Sequence, residues 1–352
     1  MYSTKIYRNI ASIVVFIAFL APSVSVAQDI QFSQFYAVPL YANPAFAGSL
    51  HVTRGIANTR LQWLGLNANY KTYYISGDTY LSKYRSGFGM QIVRDEQGSN
   101  VYTSTQATFM YAYEIPVSST FTVRAGLQGT FGQRTLDYNG LRYPGQFTDP
   151  NGYDPNNPNA GQYQNGIKTQ FYPDFASGIV GYSDRFWGGF SVHHLNTPNL
   201  QFPGAGKDNL PMNFEGIGGY KIPLAHKKYL AYTESEPDIS ITPTVHYKNQ
   251  GKSDQLDIGI YGMYDQLMCG FWYRGIPIKH YAPGVQNNES VVFLLGWVYK
   301  SVSFGYSYDL TISKLTQAGP GGSHEFTLTY LHKSSKKHKP MRRLPCPSFY
   351  KH

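Results

Sequence analysis

The sequence predicts an all-β fold: a transmembrane antiparallel up-and-down barrel of about fourteen strands, with a short N-terminal plug or periplasmic segment and a basic C-terminal tail. Three observations carry this. Tyr 31, Phe 21 and Gly 35 in 352 residues with only 14% charged is a barrel-like composition, in which lipid-facing aromatics alternate with small and polar lumen residues. Apolar and polar residues alternate with period two over runs of about 9–11 residues, the length that crosses a bilayer as a strand. Beyond residue 27 there is no apolar run of about 18 residues, so a spanning helix is not expected. The mean hydropathy of -0.35 would by itself suit a soluble protein, and a secreted β-sandwich is the competing fold.

Residues 1–27 read as a cleaved signal peptide. Lys5 and Arg8 precede an apolar run from Ile10 to Leu20, and Ser25-Val26-Ala27 places small residues before a mature start at Gln28. No cysteine lies near that junction, which argues against a lipid anchor. Residues 28–51 are too polar and proline-broken for a spanning strand and read as a plug or periplasmic collar.

Strands are expected at 52–63, 70–82, 86–95, 101–115, 119–133, 172–184, 186–195, 211–223, 238–249, 255–264, 267–275, 289–300, 302–313 and 322–332. The alternation is plain in Val302, Phe304, Tyr306 and Tyr308 set against Ser303, Gly305, Ser307 and Asp309. Phe121, Val123, Ala125 and Leu127 oppose Thr122, Arg124, Gly126 and Gln128 in the same way. Tight inner turns are expected at Lys83-Tyr84-Arg85, Pro116-Val117-Ser118, Asp184-Arg185, Asp265-Gln266 and Ser301, and long outer loops at 134–171, 196–210, 276–288 and 314–321. Two connections break this parity: 224–237 is long on the inner side, and Gln250 to Ser253 is short on the outer side. Residues 52–332 thus form the barrel, and 333–352 a polar, basic tail in the periplasm, with both termini on that side.

The net charge of +9 suggests a nucleic-acid binder until it is located. The signal segment contributes +2, and Lys333, Lys336, Lys337, Lys339, Arg342, Arg343 and Lys351 contribute +7, so the barrel body is balanced and no nucleic-acid partner is expected. Cys269 and Cys346 offer neither a disulfide framework nor metal-ligand spacing. Asp149-Pro150-Asn151-Gly152 and the Asp154–Asn159 run have turn chemistry without calcium-loop spacing. His193 and His194 are adjacent strand residues, so at most one should enter the lumen, with a structural role. Glu325, Arg124, Lys71, Arg274 and Asp309 are expected to face inward, because a Lys or Arg against lipid at mid-bilayer costs about 2–4 kcal/mol. No catalytic set, metal site or cofactor site is indicated.

Ahead of the first strand lie Gln31-Phe32-Ser33-Gln34-Phe35 and Tyr41-Ala42-Asn43-Pro44-Ala45-Phe46-Ala47-Gly48. Arg60-Leu61-Gln62-Trp63, Tyr172-Pro173-Asp174-Phe175, His193-His194-Leu195-Asn196-Thr197-Pro198 and Trp272-Tyr273-Arg274-Gly275 follow. Tyr306-Ser307-Tyr308-Asp309, Ile312-Ser313-Lys314, Ser323-His324-Glu325 and Leu344-Pro345-Cys346-Pro347 complete the set. In this order they resemble the PorP/SprF family of outer-membrane proteins of the type IX secretion system, although Leu64 stands where the family often has proline.

The resemblance implies a noncatalytic barrel that docks or anchors type IX-secreted surface proteins, gliding adhesins among them, through their C-terminal domain. It also implies a link to a periplasmic peptidoglycan-binding protein or lipoprotein, all within outer-membrane lipid. Candidate partner-binding residues are Phe32, Phe35, Asn43, Pro44 and Phe46 in the N-terminal segment and Leu344, Pro345, Cys346, Pro347 and Phe349 in the tail. The alternative is a channel or porin for small or hydrophobic solutes. An outer-membrane hydrolase is a third reading, for which no ordered Ser/His/acid set stands out.

Overall fold

The computed structural model describes residues 29–66, 69–98, 100–141, 147–148, 152–153, 166–202, 208–225, 239–282 and 285–332. Residues 1–28, with the expected signal peptide 1–27, and the tail 333–352 lie outside them. The strands are β1 (Thr53–Gln62), β2 (Tyr70–Leu81), β3 (Ser86–Gln97), β4 (Tyr102–Pro116), β5 (Thr122–Asp137), β6 (Phe147–Thr148), β7 (Gly152–Tyr153), β8 (Ile167–Tyr182) and β9 (Phe186–His193). They continue as β10 (Asn213–Tyr220), β11 (Ile222–Ala225), β12 (Ile239–Gln250), β13 (Ser253–Tyr264), β14 (Leu267–Ala282), β15 (Val285–Tyr299), β16 (Val302–Thr311) and β17 (Ser323–His332).

Fifteen of these form one antiparallel sheet, closed by β1 on β17 and by β10 on β12. The short β11 prolongs β10 along β12 past a break at Lys221, so the wall is a fourteen-stranded barrel. Closure leaves no free edge, as a bilayer requires of any sheet within it. All fourteen expected strands are present.

Burial follows the alternation read from the sequence. On β16, Ser303, Gly305, Ser307 and Asp309 are buried while Val302 and Phe304 are exposed, and on β5 Arg124, Gly126 and Gln128 are buried between exposed Ala125 and Leu127. Exposed Tyr84, Tyr113, Tyr220, Tyr264, Tyr299 and Tyr330 form an aromatic belt at the tight-turn end. Cys269, between Leu267 and Phe271 on β14, also faces outward. Lys71 departs from expectation. The inward positions of β2 are Thr72, Tyr74, Ser76 and Asp78, so Lys71 lies on the outward register at the loop end, clear of mid-bilayer.

Two expected loops are shorter than read. β5 and β8 pair as far as Asp137 and Ile167, and β14 and β15 extend to Ala282 and Val285, which turns the predicted loop 276–288 into a hairpin. Above the lipid both faces meet water, so polar residues continue the ladder there without the alternation that marks a spanning strand. Of the two parity breaks, the short one is seen directly, and most of the long one (226–238) lies outside the described residues. Gln250 and Ser253 are joined by a turn with Gly251 at φ 59, and the long inner connection opens with β11.

Candidate functional site in the barrel lumen

Residues 29–50 run through the inside of the barrel. Asp29 lies at the loop end beside Asn213 and Gln250, and Gly48 lies at the tight-turn end beside Asp78, from where the chain enters β1. The first described residue is therefore at the loop end, whereas the sequence predicts a periplasmic N-terminus on the side of the tight turns; His332 leaves β17 at the turn end. One helical turn, α1 (Pro39–Ala42), and a 3-10 turn (Pro44–Phe46) compact the segment, each opened by a proline whose missing N–H is one the turn would leave unpaired. Leu40, Asn43, Ala45, Ala47, Ser49 and Leu50 have no exposure at all.

Three polar clusters tie the segment to the wall. In the first, Glu325 of β17 accepts the backbone N–H groups of Ser33 (2.7 Å) and Gln34 (3.1 Å) and the side-chain amide of Asn58 (2.9 Å). Arg60 donates to Glu325 (3.2 Å), to Asp309 (2.8 Å) and to the Ser33 hydroxyl (2.6 Å), which itself donates to Asp309. Arg274 bridges Asp309 (2.9 Å) and Asp257 (3.1 Å). Two guanidinium groups and three carboxylates, all buried, thus enclose one serine of the segment. Buried charge at this density is tolerable only when each group is paired and hydrogen-bonded, which is the case here.

At the tight-turn end Arg124 donates to Glu114 (2.6 Å) and to the carbonyls of Ala45 (3.1 Å) and Ala47 (2.5 Å). His51, Tyr80 and Tyr182 also reach Glu114, and Arg54 grips Asp78, which accepts from the Gly48 N–H (2.8 Å). Between the clusters the contacts are aromatic: Phe32 against Tyr41 and Tyr74, Phe35 against His246 and Trp272, and Phe46 against Trp187.

The third cluster holds the loop end. His194 sits past β9 with φ 59, and this left-handed residue turns its ring back inward, so both His193 and His194 enter the lumen despite being neighbours. Its Nε2 lies 2.8 Å from Asp29 and its Nδ1 3.0 Å from Asp174. Burial opposes charge on the imidazole, but Asp29 and Asp174 override it and hold the group up at about 10. Burial likewise opposes the Asp29 carboxylate, and His194 overcomes it, pushing that group below the ordinary range.

Because His194 is raised from 6.5, its contribution to holding the segment is complete below pH about 6.5 and disappears as pH rises through about 10. Asp29 works at the other limit: its share is complete above 3.8 and is lost only as pH falls through its depressed value. A nitroxide on Ile30→Cys, in a chain with Cys269 and Cys346 replaced by serine, should be immobile from pH 5 to pH 6.5. It should loosen above about pH 10, and His194→Gln should lose that alkaline transition. An unchanged spectrum to pH 11 would refute the latch.

Of the expected partner-binding residues, Phe32, Phe35, Asn43, Pro44 and Phe46 are all buried in the lumen. Asn43 pins the segment locally, since its Oδ1 accepts from the Ala45 N–H and its Nδ2 donates to the carbonyls of Ile179 and Phe190. Leu344, Pro345, Cys346, Pro347 and Phe349 lie outside the described residues. Arg124, Arg274, Asp309 and Glu325 face inward as read. Ser33, Asn58, Asp257 and Asp78 carry no local mark in the sequence, since their importance comes from partners up to 292 residues away.

A family model described as type IX secretion system membrane protein PorP/SprF matches residues 24–330. No curated protein matches the chain. Among solved structures, the chain is similar to the Ralstonia pickettii toluene transporter TbuX at 11% identity and TM-score 0.44, over 88% of this chain and 95% of that one. It is similar to the Acinetobacter baumannii outer membrane protein Omp33 at 7% and 0.43, over 81% and 100%. A Pseudomonas aeruginosa FadL homologue matches at 12% and 0.43, over 84% and 94%. The chain is an outer-membrane β-barrel and belongs to the PorP/SprF family of type IX secretion system membrane proteins.

Proposed function

We propose that the protein is a noncatalytic anchoring barrel. Its loop end, facing outward in the usual barrel orientation, docks the C-terminal domain of a type IX-secreted surface protein, such as a gliding adhesin. Its turn end meets a periplasmic peptidoglycan-binding protein or lipoprotein. The observation that supports this reading is the occupied lumen: the barrel spends its interior on holding its own residues 29–50, with buried charge clusters at both ends. A wall braced in this way suits a rigid mount better than a solute path. Phe32, Phe35, Asn43, Pro44 and Phe46 serve that bracing, and a partner would meet them only if the segment left the lumen.

In planar bilayers the purified protein should give little steady conductance; porin-like steady conductance would favour the channel reading and defeat this one. Affinity purification from detergent-solubilised outer membrane should retain a secreted surface protein and a periplasmic partner. The turn-end contact is assigned to Leu344, Pro345, Cys346, Pro347 and Phe349, with the basic tail steering the encounter. Truncation after Lys333 should abolish periplasmic copurification, and unchanged recovery would remove the tail from the proposal.

A further inference from the structure

At the loop end, above the tied-down Asp29 to Gln31, the lumen opens into a cleft of about 610 Å³. That volume is typical of small-molecule sites. The cleft is half polar in character: Gln62, Thr72, Asp95 and Gln97 line it alongside the rings of Trp63, Tyr70 and Tyr102. Trp63 and Tyr70 meet edge to face at 5.4 Å.

Arg134, also in this lining, differs from the other inward arginines. Arg54, Arg60, Arg124 and Arg274 each grip a carboxylate. Arg134 instead lies over the rings of Tyr102 (5.7 Å) and Tyr172 (5.9 Å), and its buried Nε has no hydrogen-bond partner among the described residues. The stack is built. Tyr172 lies flat on Gly132, where a Cβ would collide with its ring, and Gln106 donates to its hydroxyl (3.2 Å). A guanidinium in the lining of a cleft, oriented by two aromatic faces and bound to no carboxylate among the described residues, is a pre-formed receptor for a planar anion, most simply a carboxylate.

The rest of the lining narrows the ligand. Asp95 accepts one bond on each oxygen, from Thr72 (2.6 Å) and Gln97 (2.9 Å), and so keeps lone pairs for further donors. Asp29 and Glu289 share the lining with Asp95, so a ligand carrying only negative charge would be repelled, whereas one rich in hydroxyls would donate to these carboxylates. Aromatic rings at the cleft accept the apolar face of a pyranose. We propose that this cleft is a binding site for acidic oligosaccharides, with Arg134 receiving a sugar carboxylate, Asp95 the hydroxyls, and Trp63 a ring face. The assignment is independent of the anchoring role.

The test is calorimetric titration of the detergent-solubilised full-length protein with trigalacturonic acid, with maltotriose as the neutral control and triglycine as a carboxylate without sugar. Trigalacturonic acid should bind, and at least tenfold more tightly than either control. Arg134→Gln should remove that preference. Trp63→Ala, outside the strands, should weaken trigalacturonic acid severalfold with Arg134 intact, in a protein checked for heat-modifiable barrel migration. No binding of trigalacturonic acid, equal binding of maltotriose, preference for triglycine, or an Arg134→Gln protein that folds and binds unchanged would each overturn the site.

Discussion

Glu325→Ala is expected to destabilise the protein by about 3–5 kcal/mol, the usual loss when one member of a buried charge cluster is removed. The carboxylate is fully buried and accepts from Ser33, Gln34, Asn58 and Arg60 at once; Asn58 and Arg60 keep other acceptors, but removing it takes an acceptor from all four buried donors and leaves the Ser33 and Gln34 N–H groups unpaired. Two of these are backbone N–H groups of the lumen segment, which makes Glu325 the point where wall and segment are most directly joined. Glu325→Gln should lose less, because its amide oxygen still serves one backbone donor. Urea titration of the barrel in lipid vesicles, followed by tryptophan fluorescence, measures both variants. A loss under about 1 kcal/mol for alanine would mean that the cluster does not couple the segment to the wall.

Gly87→Val should unseat the segment while sparing the barrel. A Cβ at Gly87 would overlap the Ala47 carbonyl oxygen and lie 2.8 Å from the Arg124 guanidinium, so even alanine collides with backbone. Valine has better strand propensity than glycine, so the β3 ladder gains what the lumen loses. The expected result is a folded, heat-modifiable barrel that acquires steady bilayer conductance. Gly126→Val should act alike, since its Cβ would run into the Ala45 nitrogen. Gly129→Ala, where nothing lies within 4 Å, should stay within about 0.5 kcal/mol of the parent. A Gly87→Val protein as silent as the parent would show that the segment does not obstruct the lumen.

Much of the wall was legible because period two is a local property. Ser303, Gly305, Ser307 and Asp309 could be sent inward without knowing their neighbours, and the charge cost in lipid put Arg124, Arg274, Asp309 and Glu325 on that face too. The same local rule failed where the backbone left the strand: His194 turns back through a left-handed conformation that the His-His pair does not announce. It also missed the upper reaches of β14 and β15, where hydrogen bonds continue beyond the lipid that imposes alternation. At the candidate site, Phe32, Phe35, Asn43, Pro44 and Phe46 were recognisable as part of a plug or a periplasmic collar, and the choice between the two depends on wall contacts that no local pattern carries.

The amino-acid sequence by itself determined the all-β barrel, its fourteen wall strands, their inward and outward faces and the location of the excess charge, because each follows from alternation or composition along a short stretch. Tertiary structure decided what fills the barrel. Only closure of the sheet brings Arg60, Arg274, Asp309 and Glu325 around Ser33, fixes the loop end as the place of Asp29, and leaves Arg134 between two tyrosines. Those contacts join residues far apart along the chain, and pairing over such distances is set by strand order and register rather than by any local pattern.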